Sequence, residues 1–244
     1  MKLENKVAIV TGGSRGIGYA TVEKFIKEGA KVCLTASSEA SAEKAVGKLK
    51  EAYPNADIMG IAPTLSSLES VQAEFAKVVE KYGRIDILIN NAGVGYYGLH
   101  EELNAAKIKE IVRTNFEAPM ILSQLVLRQL KKSKGFIINI SSVTALQPSP
   151  HGCAYGASKA GLTAFSRSLF DEARKYGVKV VSVHPDMTST DLYRNADFKE
   201  DEDMAAHLEP QEVAQTVEYI INIRDGAVVQ EITIKPQFHR IRRK

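Results

Sequence analysis

The chain contains 244 residues, of which 44% are hydrophobic and 25% are charged, and its net charge is +3. A chain of this length can bury a sizeable core without disulfide or metal support, and its two cysteines lack the spacing of a metal site. The small net charge argues against nucleic-acid binding, and no apolar run approaches the roughly 18 residues that span a bilayer. We therefore expect no metal ion, no nucleic acid and no membrane as a partner.

The amino-terminal sequence and the cysteines predict a cytoplasmic location. Met1 to Lys6 runs almost directly into an apolar stretch, which leaves no room for a secretory signal. Cys33 and Cys153 show no disulfide pattern, as is usual where thiols stay reduced.

Short apolar runs alternate with helical patterns along the chain. The first run, Val7 to Val10, is followed by a glycine-rich turn and a helix through about Glu28, and Gly29 is placed to end that helix. Continuous apolar strands that alternate with helices are typical of a parallel sheet covered on both faces. Because no repeat or linker interrupts the pattern, we predict an α/β fold, a single Rossmann-type, doubly wound parallel sheet in one domain, residues 1–244. The other predicted elements are strands at Lys31 to Thr35, Ile58 to Ala62, Ile85 to Ile89, Phe136 to Ile140, Lys179 to Val183 and Val228 to Ile234, and helices at Ser41 to Ala52 and about Gln211 to Ile223.

The turn after the first strand, Thr11 to Gly18, has a pattern typical of a nucleotide site. Gly12, Gly16 and Gly18 permit a tight turn and let the backbone approach a pyrophosphate at the start of the next helix. Alone, this pattern is equally compatible with an ordinary tight connection between strand and helix. Its position, between the first strand and the first helix, favours dinucleotide binding.

The charges near this turn favour NADP(H) over NAD(H). Folds that bind NAD usually place a carboxylate near the end of the second strand, to accept a hydrogen bond from the ribose 2′-hydroxyl. Here that strand leads into Ala36, Ser37 and Ser38, with no carboxylate before Glu39, while Arg15 lies inside the glycine-rich turn. A cation and hydroxyl donors suit a 2′-phosphate.

Tyr155 and Lys159 are the candidate catalytic pair. They are spaced i, i+4 and so share one face of a helix. A nearby ammonium lowers the pKa of a phenol, whose ordinary value is about 10, and a phenol so tuned can give a proton to a carbonyl oxygen or take one from an alcohol. Such pairs are common on helices, but Ser142 and Asn90 to Gly93 follow strand ends, where ligands bind in open α/β sheets.

Together these motifs resemble the short-chain dehydrogenase/reductase family over essentially the whole chain. The resemblance rests on T-G-x-x-x-G-x-G at Thr11 to Gly18, N-N-A-G at Asn90 to Gly93, Asn115, Ser142 and Y-x-x-x-K at Tyr155 to Lys159. It implies an NADP(H)-dependent oxidoreductase that interconverts a carbonyl and a secondary alcohol by hydride transfer. It also implies a small-molecule carbonyl or alcohol substrate and a homodimer or homotetramer.

The resemblance also implies a role for each site residue. Tyr155 is the acid/base. Ser142, with Ser141 as its rival, hydrogen-bonds the substrate oxygen. Lys159 lowers the tyrosine pKa and holds the nicotinamide ribose, and Asn115 keeps a water in a proton relay with Lys159. The residues expected to contact the cofactor are Gly12, Ser14, Arg15, Gly16, Ile17, Gly18, Ser37, Thr64, Leu65, Asn91, Ala92, Gly93, Tyr155, Lys159, Pro185, Thr188 and Thr190.

The chain departs from the family pattern at three places. Asp186 follows Pro185 where the family usually has glycine, which puts a glycine-only backbone geometry in doubt. Thr64 stands where a family aspartate contacts adenine. The glycine-rich ending common in the 3-oxoacyl-carrier-protein reductases of the family is replaced by a basic tail, His239 to Lys244, which we expect to be solvated.

The substrate-binding segments are less specific. The polar, acidic stretch at about 188–209, with Glu200 to Asp203 near its middle, is either a surface loop or a substrate lid. Its acidic run would repel an acidic carrier protein. A 3-oxoacyl-carrier-protein reductase is therefore the less favoured, alternative function. A non-catalytic NADP(H)-binding sensor is disfavoured because all four catalytic positions are filled. The candidate pocket wall consists of Tyr96, Tyr97, Leu99, Leu146 and His151. The two tyrosines are equally plausible as packing residues.

Overall fold

The computed structural model describes residues 3–244 and contains a seven-stranded parallel sheet. Most of its strands are continuous runs of buried apolar residues, as expected where helices cover both faces. The strands, in chain order, are β1 (Val7–Val10), β2 (Lys31–Thr35), β3 (Ile58–Ile61), β4 (Ile87–Asn90), β5 (Phe136–Ile140), β6 (Lys179–Pro185) and β8 (Glu231–Ile234), while β7 (Phe198–Glu200) and β9 (Ile241–Arg243) form a separate antiparallel pair.

Helices pack on both faces of the sheet. On one face, side chains of the first, second and last helices pack with Ala8 and Val10 of β1. On the other, the third, fifth and sixth helices pack with Val7 and Ile9. Alternate side chains of β1 therefore point to opposite faces of the sheet and pack into two separate cores. The helices are α1 (Gly16–Lys27), α2 (Glu39–Ala52), α3 (Leu68–Tyr82), α4 (Ala105–Val112), α5 (Ala118–Ser133), α6 (Cys153–Ala173) and α7 (Pro210–Asn222).

The strand order is β3-β2-β1-β4-β5-β6-β8. The chain moves outward in one direction from β1 to β3 and then returns to place β4 on the other side of β1. This creates a crevice between the loops that follow β1 and β4, which is where doubly wound sheets bind ligands. The structure confirms the predicted fold class.

Several predicted bounds differ from the observed ones. The last strand of the sheet begins at Glu231 rather than Val228, and the strand predicted from Ile85 begins at Ile87. The larger difference concerns the basic tail. Its residues are exposed to solvent, as expected, but Ile241–Arg243 also pair with Phe198–Glu200 of the acidic segment. A strand of three exposed residues is too short to show the alternation of apolar and polar residues from which strands are predicted.

Among residues 3–244, no helix is both long enough and apolar enough to cross a bilayer. Within the same range, no group of three potential ligands among His, Cys, Asp and Glu is arranged to hold a metal ion.

Candidate active site

A cleft of ≈ 710 Å³ opens at the carboxyl ends of the parallel strands. Most of the predicted catalytic and cofactor-binding residues line this one cleft, and among them only Gly18 and Asn115 are absent from its lining. None of the five residues of the candidate pocket wall is part of the lining. The predicted residues that line it are Gly12, Ser14, Arg15, Gly16, Ile17, Ser37, Thr64, Leu65, Asn91, Ala92, Gly93, Ser142, Tyr155, Lys159, Pro185, Thr188 and Thr190.

The glycine-rich turn is shaped by two different needs. Gly12 has a φ of +63°, a conformation that side chains disfavour. Gly18, at the start of α1, lies so close to the turn that a Cβ there would be 2.3 Å from the oxygen of Gly12. No side chain caps the first turn of α1, so its amide groups face the cleft as a potential anion site.

Asn91 and Thr11 fasten this turn to the end of β4. The Asn91 side-chain amide donates to the carbonyl oxygens of Thr11 and Gly12, at 2.9 and 3.3 Å. The Thr11 hydroxyl accepts from the backbone amides of Asn91 and Ala92, at 2.9 and 3.0 Å. The two loops that border the crevice are therefore held in one fixed arrangement.

The far end of the cleft contains cations that the sequence analysis missed. Lys44 and Lys48, one helical turn apart on α2, join Ser37 in the lining, whereas Glu39 is outside it. Their i, i+4 spacing on the helix after β2 was the available signal. Arg15 is half-exposed and lies 3.8 Å from Asp191.

Ser142 and Tyr155 meet at the other end of the cleft. Ser142 caps a short 3₁₀ turn, accepting from the Thr144 amide at 3.2 Å, and its hydroxyl lies beside Tyr155, which is 4% exposed. Its rival Ser141 is engaged elsewhere, because its hydroxyl lies 3.1 Å from the carbonyl oxygen of Lys159 and 2.9 Å from the Thr163 hydroxyl. The geometry favours Ser142 as the group beside the tyrosine.

Lys159 and Asn115 lie behind this pair. The Lys159 ammonium donates to the carbonyl oxygen of Ile140 at 2.8 Å and lies 5.7 Å from the centroid of the Tyr155 ring. Asn115 lies in a single π-helical turn, Arg113–Glu117, a feature frequent at functional sites. Its side chain exchanges two hydrogen bonds of 2.9 Å with the backbone of Val94.

Burial dominates the protonation of the catalytic pair. It raises the pKa of Tyr155 to about 12, against the opposing effect of the hydrogen bond with Ser142. Burial also lowers the pKa of Lys159 to about 8. The raised pKa of Tyr155 is opposite to the lowering that was expected from Lys159, because loss of hydration favours the neutral phenol.

Asp186 does not adopt a glycine-only conformation. Positive φ among non-glycine residues 3–244 occurs at Asn5, Lys134 and His151 alone. The Asp186 amide instead donates to Ile234 of β8 at 2.9 Å, in continuation of the sheet. The substitution therefore leaves the backbone after β6 unstrained.

Tyr97 brings an aromatic cluster to the catalytic tyrosine. Its ring centroid is 5.7 Å from that of Tyr155, 5.8 Å from Tyr193 and 5.2 Å from Phe198. Tyr96 points elsewhere and donates to Glu110 at 2.9 Å. Of the two tyrosines considered for the pocket wall, only Tyr97 is placed against the catalytic residue.

Comparison with known proteins agrees with this arrangement. The family described as short chain dehydrogenase matches residues 6–201. A 3alpha-hydroxysteroid dehydrogenase of Mediterraneibacter gnavus is 39% identical over 193 residues, which are 79% of this chain and 77% of the relative. A 3-oxoacyl-(acyl-carrier-protein) reductase of Vibrio cholerae is 34% identical over 230 residues, 90% of this chain and 91% of the relative. An alcohol dehydrogenase of Thermococcus sibiricus, solved in complex with 5-hydroxy-NADP, has a TM-score of 0.88 and 26% identity, with 97% of this chain and 99% of that chain covered. These matches confirm the resemblance, and the chain belongs to the short-chain dehydrogenase family.

Proposed function

We propose that this enzyme is an NADP(H)-dependent oxidoreductase that interconverts a carbonyl and a secondary alcohol, with Tyr155 as the acid/base. The observation that carries the proposal is the shared cleft. The adjacent hydroxyls of Ser142 and Tyr155 lie at one end, and the glycine-rich turn with its uncapped helix lies in the same lining. Such a cleft can hold a dinucleotide and a small substrate side by side.

The residues present fit the cofactor. The amides at the start of α1 suit the pyrophosphate, and Asn91 to Gly93 line the path towards the catalytic end. Bound NADP(H) supplies or accepts the hydride. The chain supplies the proton: Tyr155 gives it to the carbonyl oxygen during reduction and takes it back during oxidation, while Ser142 orients that oxygen by a hydrogen bond. Lys159 offers the ribose hydroxyls an ammonium donor from beneath the tyrosine.

Two groups of cations support the preference for NADP(H). Arg15 lies in the glycine-rich turn, and Lys44 and Lys48 line the cleft beyond β2. The solved relative that contains 5-hydroxy-NADP supports the same choice. We expect a lower Michaelis constant for NADPH than for NADH, and Arg15→Gln should reduce the difference by about tenfold, as expected when a charge-assisted hydrogen bond is lost. Equal constants in the unmodified enzyme would contradict the preference.

The substrate pocket is formed with segment 188–209 as its lid. Tyr193 lines the cleft, and Phe198 and Tyr193 pack against Tyr97 beside the catalytic tyrosine. An apolar, aromatic wall suits a small or medium ketone. The alternative, a 3-oxoacyl-carrier-protein reductase, is supported by the Vibrio cholerae relative, and the acidic run no longer argues against it because arginines of the tail pair with that run. NADPH oxidation across ketones, diketones, 3-oxoesters, steroids and a 3-oxoacyl thioester separates the candidates.

Tyr155→Phe tests the mechanism. It removes the proton donor without changing the shape of the ring, so turnover should fall by about a hundred- to ten-thousand-fold. NADPH binding, followed by fluorescence titration, should stay within about twofold, since the hydroxyl adds at most one neutral hydrogen bond.

Tyr82→Phe provides the matched control. It removes the same atom from a half-buried ring whose hydroxyl donates to Asp57, outside the cleft, and should leave turnover unchanged. Full activity of the Tyr155 variant would refute the mechanism. A chain that binds NADPH but turns over none of the panel would support the sensor alternative.

We also propose that the enzyme is cytoplasmic and forms a homodimer or homotetramer. The unpaired state of Cys33 and Cys153 supports the cytoplasmic location. The frequent occurrence of dimers and tetramers in the family supports the oligomer. Fractionation of cells and light scattering of the purified protein test them separately.

A further inference from the structure

The last described strand of the chain pairs with the lid. Strand β9 (Ile241–Arg243) lies antiparallel to β7 (Phe198–Glu200), which is part of segment 188–209. Two backbone hydrogen bonds extend the contact on either side, from Lys244 to the carbonyl oxygen of Asp197 at 2.8 Å and from Phe238 to that of Ala205 at 2.9 Å. The tail, His239 to Lys244, together with Phe238 therefore runs along residues 197–205 of the lid.

Charged side chains of both signs flank this ribbon. In the strand register Lys199 stands opposite Arg242, so like charges meet there, while the opposite charges pair just beyond the end of β7. Arg240 lies 3.4 Å from Asp203. Arg242 lies 3.6 Å from Asp201 and forms a second ion pair with Glu202. The pKa of Asp201 is lowered, first by the hydrogen bond from the Asp203 amide and also by the two arginines. Exposed pairs of this kind are individually weak and are screened by salt, but they act here as a network.

The ribbon connects the tail to the catalytic tyrosine through a short series of contacts. The Lys244 ammonium donates to the carbonyl oxygens of Tyr193, at 2.7 Å, and Arg194. The rings of Tyr193 and Phe198 are 5.5 Å apart and both pack against Tyr97, which contacts Tyr155. The tail thus holds the part of the lid that carries the aromatic wall.

A two-stranded ribbon is marginally stable in water on its own. Its side-chain pairs therefore decide how much of the time it stays formed. The cofactor-binding turn is built from other contacts, chiefly those of Asn91 with Thr11 and Gly12. Loss of the ribbon should release the lid without disturbing that turn.

We propose that the tail is an electrostatic latch for the substrate lid, with Arg240 and Arg242 as positioning residues for substrate binding. The part of this proposal that concerns substrate binding rests on the proposed function, carbonyl reduction. Closure of the lid excludes water and brings the aromatic wall against the substrate. Substrate affinity depends on the latch, whereas cofactor affinity depends on it much less, because Thr188 and Ser189 at the start of the lid are held by pairing with Leu208.

The kinetic test uses the full chain with Arg240→Glu and Arg242→Glu combined. We expect KM for the carbonyl substrate to rise about tenfold, kcat to change less, and the dissociation constant of NADPH to stay within about twofold. High salt should raise KM of the unmodified enzyme towards that of the variant.

Lys235→Glu is the matched control. It makes a similar charge reversal at an exposed residue outside the ribbon, and Lys235 makes no ion pair among residues 3–244. A charge swap completes the series: Glu202→Arg in an Arg242→Glu background should recover most of the lost affinity. An unchanged KM in the double variant, an equal effect of Lys235→Glu, or no recovery on charge swap would each overturn the latch.

Amide hydrogen exchange of residues 196–206, with NADPH bound, tests the latch without any substrate. Exchange should speed up in the double variant and return with the charge swap. Equal exchange in all variants refutes the latch, whatever the kinetics. Faster exchange in a protein that reduces no carbonyl would support the latch and refute the proposed function.

Discussion

At the residue scale, burial rather than charge governs the catalytic pair. Tyr155 and Lys159 are each 4% exposed, and the pKa of the tyrosine is raised to about 12 while that of the lysine is lowered to about 8. Both shifts favour the neutral form, as desolvation does. A cationic nicotinamide ring in the cleft would act on the tyrosine in the opposite direction, which links proton transfer to cofactor binding.

Lys159→Met tests the desolvation of Lys159 through the pH dependence of the unfolding free energy. In the folded state the lysine pKa lies at about 8, below its ordinary value of 10.5, so between these values the unfolded chain binds more protons. The unfolding free energy should therefore rise with pH through this window, by up to about 3 kcal/mol from this group. Urea unfolding at pH 7.5 and 10 should show that the free energy of the unmodified protein, relative to the variant, rises by this amount. A difference that is independent of pH would mean that the lysine is hydrated.

The sequence predicted some site residues because their contacts are local. Tyr155 and Lys159 share a helix, and Ser142 ends a strand, so periodicity and strand direction place them together. Tyr97 could not be assigned in this way, because its position depends on how two loops meet: the amide of Gly98 donates to the carbonyl oxygen of His151 at 2.8 Å.

At the element scale, the turn into α1 depends on the absence of one side chain. A Cβ at Gly18 would lie 2.3 Å from the oxygen of Gly12 and 2.5 Å from the side-chain nitrogen of Asn91. Gly18→Ala should therefore lower the unfolding free energy by about 1–3 kcal/mol. It should also weaken NADPH binding by tenfold or more, on the order of one hydrogen bond to a charged group. Urea unfolding and fluorescence titration measure the two effects.

The control is the same substitution in another helix. Gly47 lies in α2, and a Cβ there meets nothing within 4 Å. Gly47→Ala should stabilise the protein by about 0.5–1 kcal/mol, because glycine is unfavourable inside helices. Equal NADPH affinity of both variants would show that the turn tolerates the added methyl group.

Elements were predicted well where burial is continuous. Strand β1 is buried throughout, and its predicted bounds, Val7 to Val10, are those observed. Strand β9 is exposed throughout and contains Ile241 followed by two arginines. Its structure comes from a partner strand distant in sequence, and a local pattern contains no information about that pairing.

At the scale of the whole molecule, stability and chemistry are placed at opposite edges of the sheet. Asp86, just before β4, is buried at the amino-terminal edge. It accepts from the Val7 amide at 3.0 Å and from Arg84 at 2.9 Å, and Lys6 lies 3.7 Å away. This group joins the starts of two central strands far from the cleft.

Asp86→Ala should lower the unfolding free energy by about 2 kcal/mol, because it leaves the buried Val7 amide without an acceptor while the half-exposed cations regain water. The kinetic constants should stay the same, since the cleft lies at the other edge. Asp171→Ala is the control: its partner Arg174 and Asp171 itself are largely exposed, and the change should be below about 0.5 kcal/mol. A change of KM in the Asp86 variant would show coupling between the edges.

The ribbon of β7 and β9 also sets an order of assembly during synthesis. Chains emerge from the ribosome amino end first, so Phe198–Glu200 of β7 is made about forty residues before its partner strand Ile241–Arg243. The lid is therefore among the last parts of the molecule to be fastened, after the strands and helices that carry the cofactor crevice have all been made.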